Sequence, residues 1–178
     1  MNIRIYDTYD QMSRAAADFV IAQLLLKPES HIGLTAGKTP VGMFAALVDS
    51  YRSGAVGFGQ ATFYNLEEKF GLAADDPATC RNYFHRHLLD HTDITDDQLL
   101  LPDQPADDLA QACAAYDALL KSLPGHRLDI QILGIGENAH IGMNHPKEAP
   151  SNFALLHVGQ GMHCAHIIDD ELFIGTTY

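Results

Sequence analysis

An α/β fold with a mostly parallel sheet, covered on both faces by helices, is what this sequence predicts. Three observations carry that expectation. Short apolar strands alternate with amphipathic helices along the chain. The segments His31-Ile-Gly-Leu and Ile130-Gln-Ile-Leu each run straight into a glycine-containing loop, as strands of open α/β sheets do where they build sites. A length of 178 residues with 47% hydrophobic residues is enough for one compact domain with its own core, so residues 1–178 are read as a single domain.

The elements follow in order. Ile3-Arg-Ile-Tyr alternates and reads as a short strand. From Asp10 to Lys27 the apolar positions Met12, Ala15, Ala16, Phe19, Val20 and Leu24 fall at helical spacing. His31 to Leu34 is a strand, Val41 to Tyr51 a helix, and Ala61 to Asn65 a strand that ends in Leu66-Glu-Glu-Lys-Phe-Gly71. Cys80 to Leu89 and Leu109 to Leu123 read as helices, the second amphipathic. Ile130 to Leu133 reads as a buried strand, and Phe153 to His157 and His166 to Ile168 as two further short strands.

The net charge of −12 argues against nucleic acid and anionic membranes as partners. No apolar run approaches the roughly 20 residues of a membrane span. The N-terminus has no basic region followed by an apolar core, so no secretory signal is expected. Cys80, Cys113 and Cys164 lie far apart without metal-type spacing, which suggests free thiols in a reducing cytoplasm.

Three segments carry chemistry. Thr35-Ala-Gly-Lys-Thr-Pro40 links a strand to a helix. Its glycine permits close backbone approach, Thr39 is a candidate cap, and Pro40 suits a first turn. N–H groups at a helix start bind anions, and Lys38 adds a positive charge, so phosphate is the sharper reading and a capped βα turn the plainer one. The pair Glu67-Glu68 follows a strand, where a partly desolvated carboxylate can serve as a general base. A solvated acidic turn is the plain alternative, and neighbouring residues leave a strand in opposite directions. The third segment, Gly134-Ile-Gly-Glu-Asn-Ala-His-Ile-Gly-Met-Asn-His-Pro146, gathers Asn138, His140, Asn144 and His145 behind two glycines. His140 suits acid/base work near neutral pH. The spacings of His140/His145 and His157/His163/His166 match no zinc signature, so no metal is expected.

These three segments, in this order and each after a strand, resemble the glucosamine-6-phosphate deaminase family. Supporting likeness comes from Pro77-Ala-Thr-Cys-Arg-Asn-Tyr-Phe84 and Leu89-Asp-His-Thr-Asp-Ile94. The resemblance implies a Rossmann-like three-layer α/β/α fold and no redox cofactor. It implies conversion of an amino-sugar 6-phosphate to a ketose 6-phosphate with release of ammonia, and a homo-oligomer as a family expectation. Residue by residue, Thr35, Ala36, Gly37, Lys38 and Thr39 would hold the 6-phosphate, with Glu68 nearby as a further substrate-binding residue. Glu67 stands where the family has an aspartate that moves the proton between C1 and C2. Asn138 stands where most members have aspartate, a change similar to the galactosamine-6-phosphate branch. His140 matches the ring-opening histidine, and His145 stands where the family has the glutamate that supports it.

One departure is larger. Pro150-Ser-Asn-Phe-Ala-Leu-Leu-His157 and Ile167-Ile-Asp-Asp-Glu171 resemble the family's last strands, yet only Lys147-Glu-Ala separates them from Pro146. The family carries a long stretch there, so the chain looks as if it lacks a segment after Pro146. Two alternatives follow. One is a 6-phosphogluconolactonase-like sugar-phosphate hydrolase, although that family's Asp-Glu-Arg and Ser-Leu-Phe-Pro stand here as Glu67-Glu-Lys and Met143-Asn-His-Pro. The other is a catalytically impaired sugar-phosphate-binding protein.

Overall fold

The computed structural model describes residues 3–65, 67–103 and 107–134, and the backbone of three strands at 154–158, 161–168 and 171–177. Helix α1 (Tyr9–Leu26) opens on Thr8, whose hydroxyl accepts the Gln11 N–H at 3.2 Å. It buries Ala17, Val20 and Leu24, positions three or four apart and therefore on one face. Strand β1 (His31–Leu34) leads into α2 (Val41–Arg52), and β2 (Thr62–Asn65) follows. The chain then forms β3 (Glu67–Phe70), α3 (Cys80–His87), a 3-10 turn at Leu89–His91, and β4 (Leu99–Leu100). Asp108 caps α4 (Leu109–Ser122) by accepting the Gln111 N–H at 2.9 Å, and β5 (Ile130–Gln131) comes next. Strands β6 (Ala154–Val158), β7 (Gly161–Ile168) and β8 (Glu171–Thr177) complete the order.

The main sheet has the order β4-β2-β1-β5, and every pairing in it is parallel. A second sheet, β3-β8-β7-β6, is antiparallel, and α4 lies against its last three strands. Helices flank the parallel sheet, with α1 against α2 and α2 against α3. The core joins Ile32, Leu34 and Phe63 of the sheet to Val20 and Leu24 of α1 and to Phe44 and Leu47 of α2. Phe84 of α3 closes it, edge-on to Phe44 with ring centroids 5.8 Å apart.

Four expectations are corrected. Ile3 to Tyr6 is not a strand: Ile3 and Ile5 are 73% and 92% exposed, and the alternating segment pairs with no strand among the described residues. Strand β5 is shorter than expected and not fully buried. Among the described residues it stands at the edge of the parallel sheet and pairs only with β1, and Leu133 is exposed. Glu67–Phe70 is a strand rather than a loop, because β8 pairs with it in antiparallel register, Glu67 opposite Gly175. The C-terminal segment holds three strands where two were expected, and together with β3 they form the second sheet. No described helix is long and apolar enough to cross a membrane.

Candidate active site

The register of the parallel sheet sets the geometry. Leu34 at the end of β1 lies opposite Asn65 at the end of β2. On the other side of β1, Gly33 lies opposite Gln131, and the Ile132 N–H donates to the Gly33 carbonyl at 2.8 Å. The loops after β1, β2 and β5 therefore leave neighbouring strands at one edge of the sheet. The chain moves from β1 to β2 and β4, then returns to the opposite side of β1 with β5. Such a reversal opens a crevice beyond the strand C-termini, where open α/β sheets bind ligands. A cavity of about 330 Å³ lined by Leu24, Pro28, Val56 and Gln60 lies by the residues that precede β1 and β2, at the opposite edge.

The loop after β1 turns outward. Thr35 is buried, Ala36 half-buried, and Gly37, Lys38 and Thr39 are exposed. Gly37 has φ +123°, a backbone conformation that suits glycine and strains other residues. The cap of α2 differs from expectation. Pro40 occupies the cap position, and no side chain at that position bonds the helix. The Tyr9 hydroxyl of α1 instead accepts the Gly42 N–H at 2.8 Å and donates to the Thr39 carbonyl at 2.8 Å. Gly42 makes this approach possible, since a Cβ there would stand 2.8 Å from the Tyr9 ring. On the far side of the loop, the Tyr83 hydroxyl of α3 donates to the Gly37 carbonyl at 2.6 Å. Burial pushes the Tyr83 hydroxyl up to about 12, so it remains a donor at neutral pH.

The corner after β2 turns inward. Glu67 and Glu68 are 3% and 4% exposed, so the reading of a solvated acidic turn falls. Glu68 is held by three backbone donors. Its carboxylate accepts the N–H groups of Lys69 at 2.8 Å, Cys80 at 2.6 Å and Arg81 at 3.0 Å. The last two belong to the first turn of α3, where a carboxylate meets otherwise unbonded donors and the positive end of the helix dipole. Glu68 thus fastens α3 to the corner. Burial, then the neighbouring Glu68 and Glu67, pushes the Cys80 thiol well above its ordinary range. The Asn65 amide donates to the Glu67 carbonyl, and the Tyr116 hydroxyl of α4 donates to the Asn65 carbonyl at 2.7 Å. Glu67 is therefore buried on a backbone tied from both sides.

The third loop begins at Gly134, and Asn138, His140 and His145 lie outside the described residues. The side chains of His157, His163 and His166 do as well. The strand that feeds the loop is anchored. The Asp129 carboxylate accepts from Lys27 Nζ at 2.8 Å and from the His31 N–H at 2.8 Å. Burial alone would raise Asp129, but the Lys27 and His31 bonds outweigh it and hold the carboxyl below its usual range.

Sequence reasoning missed Tyr9, Tyr83 and Tyr116. No motif marks a tyrosine whose bond partner lies 30, 46 or 51 residues away. Only the placement of α1, α3 and α4 around the strand ends brings them in.

The profile of the family described as glucosamine-6-phosphate isomerases/6-phosphogluconolactonase matches residues 7–166. A glucosamine-6-phosphate deaminase of Geobacillus is 41% identical over 138 residues, covering 78% of this chain and 54% of the relative. One from Alkaliphilus metalliredigens is 37% identical over 146 residues, covering 82% of this chain and 60% of the relative. The chain therefore spans 54–60% of the length of these two curated relatives. Among solved structures, a monomeric glucosamine-6-phosphate deaminase superposes with TM-score 0.78 at 32% identity, covering 90% of this chain and 66% of that one. A 6-phosphogluconolactonase from Shewanella baltica superposes with TM-score 0.74 at 15% identity, covering 97% of this chain and 72% of that one, which is a likeness of fold. Ordered strand-end loops, matching architecture and the family profile agree: this chain belongs to the glucosamine-6-phosphate isomerase/6-phosphogluconolactonase family.

Proposed function

We propose that this chain is an amino-sugar-6-phosphate isomerase/deaminase, acting as one domain in the cytoplasm. It takes glucosamine or galactosamine 6-phosphate and one water to a ketose 6-phosphate and ammonia. The observation that carries this reading is a juxtaposition. An exposed, glycine-shaped loop at a helix start stands beside a buried carboxylate, on strands whose last residues, Leu34 and Asn65, are register partners. The loop Thr35–Thr39 has the character of an anion site, and Glu67 the low-dielectric setting of a general base. The curated relatives named as glucosamine-6-phosphate deaminases support the substrate class.

In this reading the backbone of Ala36 to Thr39 and the Lys38 ammonium take the 6-phosphate. His140 opens the sugar ring, with His145 and Asn138 beside it. Glu67 removes the proton from C2 of the open-chain sugar and returns it to C1. Water then displaces the nitrogen from C2 as ammonia. Oxidation at C2 and reduction at C1 balance within one molecule, so the isomerisation calls for no redox cofactor. Glu68 has a positioning role, fastening α3, in place of direct contact with substrate. The buried free thiol of Cys80 fits a reducing compartment.

The test is direct. The protein is incubated with each sugar phosphate, and ammonia and ketose 6-phosphate are measured together. Equimolar formation of both products from either sugar is expected, and a preference for the galactose epimer would give Asn138 its meaning. No turnover of either sugar, with binding retained, would replace this reading with that of a sugar-phosphate-binding protein.

A further inference from the structure

We infer that Tyr83 and Tyr9 are positioning residues that aim the Lys38 and Thr39 N–H groups of the β1 loop at a bound phosphate. This inference rests on the proposed phosphate role of that loop.

A trans peptide is planar, and its C=O and N–H point in opposite directions. Fixing one carbonyl therefore fixes the direction of the next residue's N–H. The Tyr83 hydroxyl holds the Gly37 carbonyl at 2.6 Å, which turns the Lys38 N–H away from Tyr83. The single proton of the Tyr9 hydroxyl goes to the Thr39 carbonyl, and the Lys38 carbonyl at 3.4 Å is the weaker arm of a three-centre bond, which biases the Thr39 N–H away from Tyr9. The same hydroxyl bonds the Thr39 carbonyl at 2.8 Å and takes the Gly42 N–H, so it also seats the first turn of α2. Residue 40 is proline and brings no N–H to compete. Two successive peptide planes in an exposed loop are thus held by hydroxyls from helices outside it. Without those hydroxyls, Gly37 at φ +123° would let its peptide plane rotate freely.

The tyrosines are themselves well placed to be rigid. The Tyr83 ring packs edge-on to Phe84 at 5.4 Å and against His87 at 4.6 Å between centroids. Its helix is pinned by the Glu68 carboxylate. Phenylalanine keeps those ring contacts and removes only the hydroxyl, so Tyr83→Phe isolates the bond.

The experiment titrates wild type, Tyr83→Phe and Tyr51→Phe with inorganic phosphate and with glucosamine 6-phosphate, followed by phosphorus NMR. Turnover is measured in parallel. Losing one net hydrogen bond that orders a loop predicts about fivefold weaker binding of both anions by Tyr83→Phe. The expected kinetic signature is a raised KM with kcat at saturation within about twofold, as for lost uniform binding. Tyr51→Phe, in which the altered ring packs on Phe58 in the core, should bind as wild type does. Equal anion affinity in Tyr83→Phe and wild type would overturn the inference and leave the proposed function standing. A fall in kcat with unchanged KM would overturn it too. Wild type that binds neither anion would overturn both.

Discussion

The loop after β1 and the corner after β2 leave neighbouring strands, yet they are built in opposite ways. The first is exposed, carries no buried charge, and is held by hydroxyls reaching in from α1 and α3. The second buries two carboxylates and is held by backbone donors of α3 and by the Asn65 amide. The contrast separates two tasks that one surface loop performs poorly. A ligand's phosphate needs N–H groups open to solvent, whereas a carboxylate base gains from being out of it. Helix α3 joins the regions: Glu68 fixes its first turn, and Tyr83, within the next turn, reaches Gly37.

The contrast can be broken in graded ways. Glu67→Gln removes the base and keeps the shape, so turnover should fall by about 10²- to 10⁴-fold, measured as initial rates of ammonia release. Loss of binding in that variant would blur the division between the regions. Glu68→Ala strands the buried N–H groups of Cys80 and Arg81, a cost of about 3 kcal/mol in urea unfolding. Because α3 carries Tyr83, phosphate affinity should fall with it. A stable Glu68→Ala protein would detach the corner from the helix.

Gly37→Ala meets no neighbouring atom within 4 Å, so its cost is backbone strain alone, about 1–3 kcal/mol. It should weaken anion binding and leave a bound sugar's chemistry alone. The smallest effect concerns Asp129, which anchors β5. Its carboxyl is held below the usual range in the folded protein, so its stabilisation is present above that range and lost as pH falls through the lowered value. Asp129→Asn should lose about 1 kcal/mol at neutral pH, with the difference from wild type shrinking below about pH 4. Urea midpoints across that range check it.

Much of the parallel layer was legible. Helices α1, α2, α3 and α4 and strands β1 and β2 fall within one or two residues of their sequence signals, because each signal is local: apolar residues at helical spacing, short apolar runs for the strands, and a proline after the β1 turn. What was not legible depends on distant partners. Ile3 to Tyr6 alternates like a strand, but alternation without a neighbour makes no sheet. Glu67–Phe70 has the composition of a turn and becomes a strand through β8, more than 100 residues on. The Thr35–Thr39 loop reads as an anion site from its own residues, while the tyrosines bonded to it carry no local mark. Glu68 reads as half of an acidic pair, while two of the three N–H groups its carboxylate accepts, those of Cys80 and Arg81, lie 12 and 13 residues on.

The most direct test of the division between loop and corner is calorimetric titration of glucosamine 6-phosphate into Gly37→Ala and Glu67→Gln. The account predicts that Glu67→Gln binds within about threefold of wild type, and that Gly37→Ala binds about tenfold more weakly. The reverse order, or equal affinity in both variants, would contradict it.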